Sequence, residues 1–113
     1  FCVVEVRADT GEFTIKRWVT AEAVGNVINQ NIVDGQMHGA IVQGLSNVIF
    51  EEFIYTDEGQ QLTADFENYR MATAADVPDI ELHYASTPCP HTPLGTRGIG
   101  EGRPSSIPGA LCN

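Results

Sequence analysis

Glu101 stands in the stretch Leu94 to Pro104, LGTRGIGEGRP, where Gly95, Gly98, Gly100 and Gly102 crowd around one carboxylate. Glycine reaches positive φ easily and has no side chain to keep a ligand away from the backbone. A glutamate on such a backbone can enter a cavity and act as a general base, if burial raises its proton affinity towards neutral pH. The same composition also suits an exposed turn, and spacing alone leaves both readings open. A phosphate cradle is not indicated. G-x-x-x-x-G-K-[ST] is missing, and Gly98-Ile99-Gly100-Glu101-Gly102-Arg103 lacks the last glycine of G-x-G-x-x-G.

Other residue types offer less. His38, His83 and His91 share no H-x-x-x-H spacing, so no protein-ligated metal is expected. Cys2, Cys89 and Cys112 are odd in number and widely spaced, which suits reduced thiols in a cytoplasmic protein. A hydrolase would need a second carboxylate beside Glu101; Asp65, Glu67 and Asp76 are candidates, but no spacing supports a pair. The net charge of −9 repels phosphate backbones, so nucleic acid is not an expected partner. No apolar run approaches the roughly 18 residues of a membrane span.

The elements that must position Glu101 follow from local patterns. Residues 1–8 and 13–20 read as two strands around the turn Asp9-Thr10-Gly11-Glu12, with Val4 and Val6 towards a core and Glu5 and Arg7 outward. Residues 21–33 read as a loop. Residues 34–52 form the clearest helix, with Asp34 as N-cap and Met37, Ile41, Leu45 and Val48 at helical spacing. Gly35, Gly39 and Gly44 each cost about 1 kcal/mol against Ala there, so something packs tightly on this helix. Helix-on-sheet packing is enough for Gly39 and Gly44. Residues 53–63 read as strand, turn, strand, residues 64–78 as an irregular connection, and residues 79–87 as a strand with Ile80, Leu82 and Tyr84 on one face. Pro108 and Gly109 could start a further helix. The order ββ, α, β predicts an α+β domain, a mixed or antiparallel sheet with one main packed helix.

Longer runs carry a resemblance. PHTPLGTRGIGEG at 90–102, the VEV…TGE hairpin at 4–12, GNVIN at 25–29, VDGQMHGAIVQGL at 33–45 and YRMATAADVPDIE at 69–81 stand in the order found in the molybdenum hydroxylases. This is the xanthine dehydrogenase and aldehyde oxidase family, and the chain is most similar to bacterial large subunits of the aerobic carbon monoxide dehydrogenase type. The resemblance covers nearly the whole chain. It implies that residues 1–113 are part of the second molybdopterin-binding domain, cut at both ends.

The resemblance also implies roles. Glu101 matches the family's active-site glutamate, which takes the proton from a Mo-bound hydroxyl as that oxygen attacks the substrate carbon and hydride passes to a sulfido ligand. Gln36 matches a glutamine that hydrogen-bonds the pterin or the metal's oxo ligand. In a helix beginning at Asp34, Gln36 would lie in the first turn, where free N–H groups favour an anionic cofactor. Gly35, Gly98 and Gly100 are the other cofactor-binding positions implied, and Gly102 would help the loop approach the metal. Gln43 fits a recurring position that packing explains equally well. The implied cofactor is molybdopterin, in its cytosine dinucleotide form, with molybdenum. A [2Fe-2S] cluster and FAD are implied on other domains or subunits. Implied partners are a small-molecule substrate, the remainder of the large subunit, and iron–sulfur and flavin subunits. Ala23-Val24 and Gly102-Arg103-Pro104 depart from the usual pattern, and carbon monoxide, an aldehyde and an N-heterocycle all stay open as substrate. The alternative is a non-catalytic folded fragment or assembly module without cofactor. Exposed apolar faces would let such a piece self-associate.

Overall fold

A short strand, a turn and a long strand open the computed structural model, which describes residues 1–100 and 104–112. β1 (Cys2–Val6) and β2 (Phe13–Ala23) pair antiparallel, with a bulge between Val3 and Val4. Gly11 closes the turn at φ 75°, and its N–H donates to the Arg7 carbonyl at 2.8 Å. Val4 is half-buried, but Val6 is exposed despite the alternation that predicts it inside. It pairs with Phe13 beside the turn, where it lines an open cavity with Val48, Ile49 and Leu111 instead of packing into the core.

β3 (Ile80–Ala85) lies on the other side of β2 and runs parallel to it, giving the order β1-β2-β3. A parallel pair needs a long crossover. Residues 24–79 make it, and α1 (Gln30–Ile49) is its helix. The sheet is therefore mixed, one of the two forms that the order of elements allows. Ile80, Leu82 and Tyr84 alternate inward from β3 while Glu81 and His83 face solvent. Across the outer face, Arg17 donates two hydrogen bonds to the Glu81 carboxylate, at 2.6 and 2.9 Å.

The helix begins about one turn before the expected Asp34. Asn29 is the N-cap, its side-chain oxygen accepting from the Ile32 N–H at 3.2 Å. Asn and Asp cap equally well. What extends the helix is burial of Val33 beneath it, which a start at Asp34 would forfeit. At the other end the helix stops at Ile49, and Phe50 N–H donates to the Ser46 carbonyl. Glu51 and Glu52, expected inside the helix, lie beyond it.

The core sits between α1 and the sheet in two clusters. Trp18, Ile41, Leu45 and Ile107 form one; Val24, Val33 and Met37 form the other, with Ile99 packed against it. Ile107 opens α2 (Ile107–Cys112), which follows the 3-10 turn Pro104–Ser106. Its side chain lies on Gly44 so closely that a Cβ there would overlap it. Gly44 is thus the helix glycine that packing requires. Gly35 and Gly39 have nothing within 4 Å of the place a Cβ would take, so packing explains neither.

The expected strands over 53–63 reduce to a single bridge between Tyr55 and Gln61. Phe53, Ile54, Tyr55 and Leu62 are all exposed there, so no apolar face rewards a longer ladder.

Candidate cofactor site

The glycine stretch reaches the helix because the chain after β2 grips it. Gly25 forms a bridge with Thr96. The Gly95 carbonyl accepts from the N–H groups of Asn26 and Cys89, both at 3.0 Å. Asn26 Nδ2 donates to the Leu94 carbonyl at 2.9 Å, and Arg97 Nε donates to the Thr87 carbonyl at 2.7 Å. Gly25 and Gly95 both take positive φ, 69° and 67°, and a Cβ on Gly25 would overlap the Gly95 carbonyl oxygen. Ile99 then packs against Val24, Val33 and Met37.

Beyond Ile99 the chain reaches the face of α1. Gln36, Gly39, Ala40, Gln43 and Gly100 line one cavity of about 200 Å³. The site thus brings together Gln36 and Gly100, which are far apart in sequence. Gly35 and Gly98 do not line it; both are exposed and open to solvent. Glu101, Gly102 and Arg103 lie outside the described residues. Gln36 is the seventh residue of α1, not a first-turn residue, so its N–H is committed within the helix and the helix-end argument for it fails. Its side chain is what the site can use.

The donor set suits an uncharged, oxygen- and nitrogen-rich ring. Among the described residues, the carboxamides of Gln36 and Gln43 make no hydrogen bond, and each offers both a donor and an acceptor. Gly39 and Gly100 leave open the space that a Cβ would fill. These features fit a pterin edge laid on the helix. Among the described residues no group of His, Cys, Asp and Glu could hold a metal directly.

Asp34, read from sequence as the cap, has another task. Tyr84 Oη on β3 donates to Asp34 Oδ1 at 2.6 Å, and Gln30 Nε2 donates to the same oxygen at 2.7 Å. This ties β3 to the turn of α1 that carries Gln36. Burial, and then the bond to Asp34, pushes the Tyr84 phenol up to about 12. The Tyr84 hydroxyl first, and Gln30 second, hold the Asp34 carboxyl below its usual range. An unfolded tyrosine titrates near 10, so Tyr84 contributes its full stability below about pH 10 and loses it as pH rises through about 12. Asp34 contributes above about pH 4, and that part is lost as pH falls through its lowered folded value. Urea midpoints should therefore fall between about pH 10 and 12 more steeply in the wild type than in Tyr84→Phe. Equal slopes would show that the pair does not couple to folding.

Sequence reasoning missed the Gly25–Asn26 grip, the Tyr84–Asp34 tie and the free space at Gly39. The run GNVIN and Gly39, read from the sequence as a packing glycine, were the only signals.

The profile of the molybdopterin cofactor-binding domain matches residues 1–78. The carbon monoxide dehydrogenase large chain of Afipia carboxidovorans is 34% identical over 101 residues, 89% of this chain and 12% of that one. The 6-hydroxypseudooxynicotine dehydrogenase complex subunit gamma of Paenarthrobacter nicotinovorans is 35% identical over 99 residues, 87% of this chain and 12% of that one. The crystal structure of quinoline 2-oxidoreductase from Pseudomonas putida 86 superposes with a TM-score of 0.90 at 37% identity, over 97% of this chain and 14% of that one. This chain thus spans about an eighth of the length of the curated relatives it matches. Among the described residues, no helix is long and apolar enough to cross a membrane. The chain belongs to the molybdopterin cofactor-binding domain family of the molybdenum hydroxylases, as its glycine stretch and its VDGQMHGAIVQGL helix imply.

Proposed function

We infer that this chain forms one wall of the molybdopterin site in a cytoplasmic molybdenum hydroxylase that oxidises a small carbon substrate: carbon monoxide, an aldehyde or an N-heterocycle. The observation that carries this is the cavity shared by Gln36 and Gly100, the residue directly before Glu101. The Gln36 carboxamide holds the cofactor by neutral hydrogen bonds. Gly39 and Gly100 let it lie close to the backbone. When bound, the cofactor supplies the metal at which the two-electron oxidation takes place. Glu101 is the general base of this reading, taking a proton on a carboxylate oxygen and releasing it later. Gly35 and Gly98 act through the backbone of their neighbours, since the cavity does not include their own atoms.

The cofactor is read as the cytosine dinucleotide form, with [2Fe-2S] and FAD carried elsewhere in the complex. Residues 1–113 act as part of a larger molybdopterin-binding domain. The remainder of the large subunit would cover exposed apolar residues such as Ile28, Ile32 and Phe66.

Gln36→Leu in the intact enzyme tests the reading. One neutral hydrogen bond is worth about 0.5–1.5 kcal/mol, so cofactor affinity should fall about twofold to tenfold. Metal analysis and pterin fluorescence measure it. Unchanged retention of molybdenum and pterin would remove Gln36 from the site.

A further inference from the structure

Gln43 is left unexplained by packing. It belongs to neither apolar cluster, it is exposed, and its carboxamide makes no hydrogen bond among the described residues. It nonetheless lines the same cavity as Gln36. Seven residues along an α-helix return to nearly the same face, about 10.5 Å further along the axis. Gln36 and Gln43 therefore stand at the two ends of one slot, with Gly39 and Ala40 as its floor. Ala40 is buried, and nothing lies within 4 Å of a Cβ position on Gly39. A flat molecule can thus settle on the helix backbone between the two glutamines.

The chemistry of the ends narrows what that molecule presents. Both ends are neutral carboxamides, each a donor and an acceptor. They complement ring edges that carry N–H beside C=O. A phosphate would call for cationic side chains, and among the described residues none lines the slot. We propose that Gln43 is a second hydrogen-bonding residue for the cofactor, gripping the far end of the ring system that Gln36 holds. This rests on the reading above that Gln36 binds the cofactor, and it adds a residue whose loss should act on retention rather than on folding.

The test follows cofactor loss from the intact holoenzyme after dilution, as molybdenum per polypeptide and as fluorescence of the released pterin. Gln43→Leu keeps the volume and removes both polar groups. It should speed the loss of molybdenum and pterin together by about threefold to tenfold, with the thermal midpoint of the cofactor-depleted enzyme unchanged because Gln43 is exposed. Gln43→Glu, which offers acceptors only, should also speed the loss and guards against a folding defect peculiar to leucine. The double variant with Gln36→Leu should lose cofactor faster than either single one. If Gln36→Leu speeds the loss and both Gln43 variants match the wild type, this proposal is overturned and the Gln36 reading stands. A raised KM with normal retention would also overturn it, assigning Gln43 to substrate instead. If neither position affects retention, both readings fall.

Discussion

Glu101→Gln in the intact enzyme is expected to lower turnover by about 10²–10⁴-fold, the usual worth of a positioned general base. Molybdenum and pterin content should stay near wild type. Glutamine matches glutamate in size and keeps one acceptor, replacing the other with an NH2 donor, but at neutral pH it cannot take up a proton. The motive is structural as well as familial. Gly100, its chain neighbour, lines the cavity with Gln36, and Ile99 before it is anchored in the core. Steady-state kinetics and metal analysis of the same preparation decide the matter. Turnover within a few-fold of wild type would exclude Glu101 as the base.

Gly25→Ala is the second large effect, and it acts on the fold. At φ 69° an alanine pays roughly 1–2 kcal/mol of backbone strain. Its Cβ would also overlap the Gly95 carbonyl oxygen and press on Arg97 N, and both are backbone atoms that cannot swing aside. Overpacking of this kind costs about 1–3 kcal/mol more. The sum is about 2–5 kcal/mol, read from urea midpoints. Gly11→Ala is the control: φ is 75°, yet nothing lies within 4 Å of the new Cβ. It should lose only the strain. If the two variants lose equal stability, the grip of residues 24–26 on the glycine stretch carries no weight. A larger loss at Gly25, together with weaker cofactor retention, would show that this grip sets where Gly100 lies.

Much of the scaffold was legible along the chain. The β1–β2 turn, the stripe Met37, Ile41, Leu45 and the alternation Ile80, Leu82, Tyr84 all depend on neighbours within four residues, which periodicity reports. The ends were less legible. Asn29 and Asp34 are both good caps, but Val33 is buried within the helix and the Asp34 carboxylate is taken by Tyr84 and Gln30. Val6 shows the same limit in reverse: its alternation puts it on the side of Val48 and Leu111, but among the described residues nothing packs closely enough to bury it.

By itself the sequence determined the first two strands, the main helix, the strand at Ile80–Ala85, the α+β class and, through several motifs in fixed order, the family. It also marked Gln36 and Glu101 as the residues to watch. Tertiary structure alone decided that β3 runs parallel to β2, that Gly44 is filled by Ile107 while Gly39 stays open, and that Gly100 meets Gln36 and Gln43 across one cavity. The reason is range. Helical and strand periodicity record which face a residue occupies, whereas what comes to meet that face is set by contacts between distant segments.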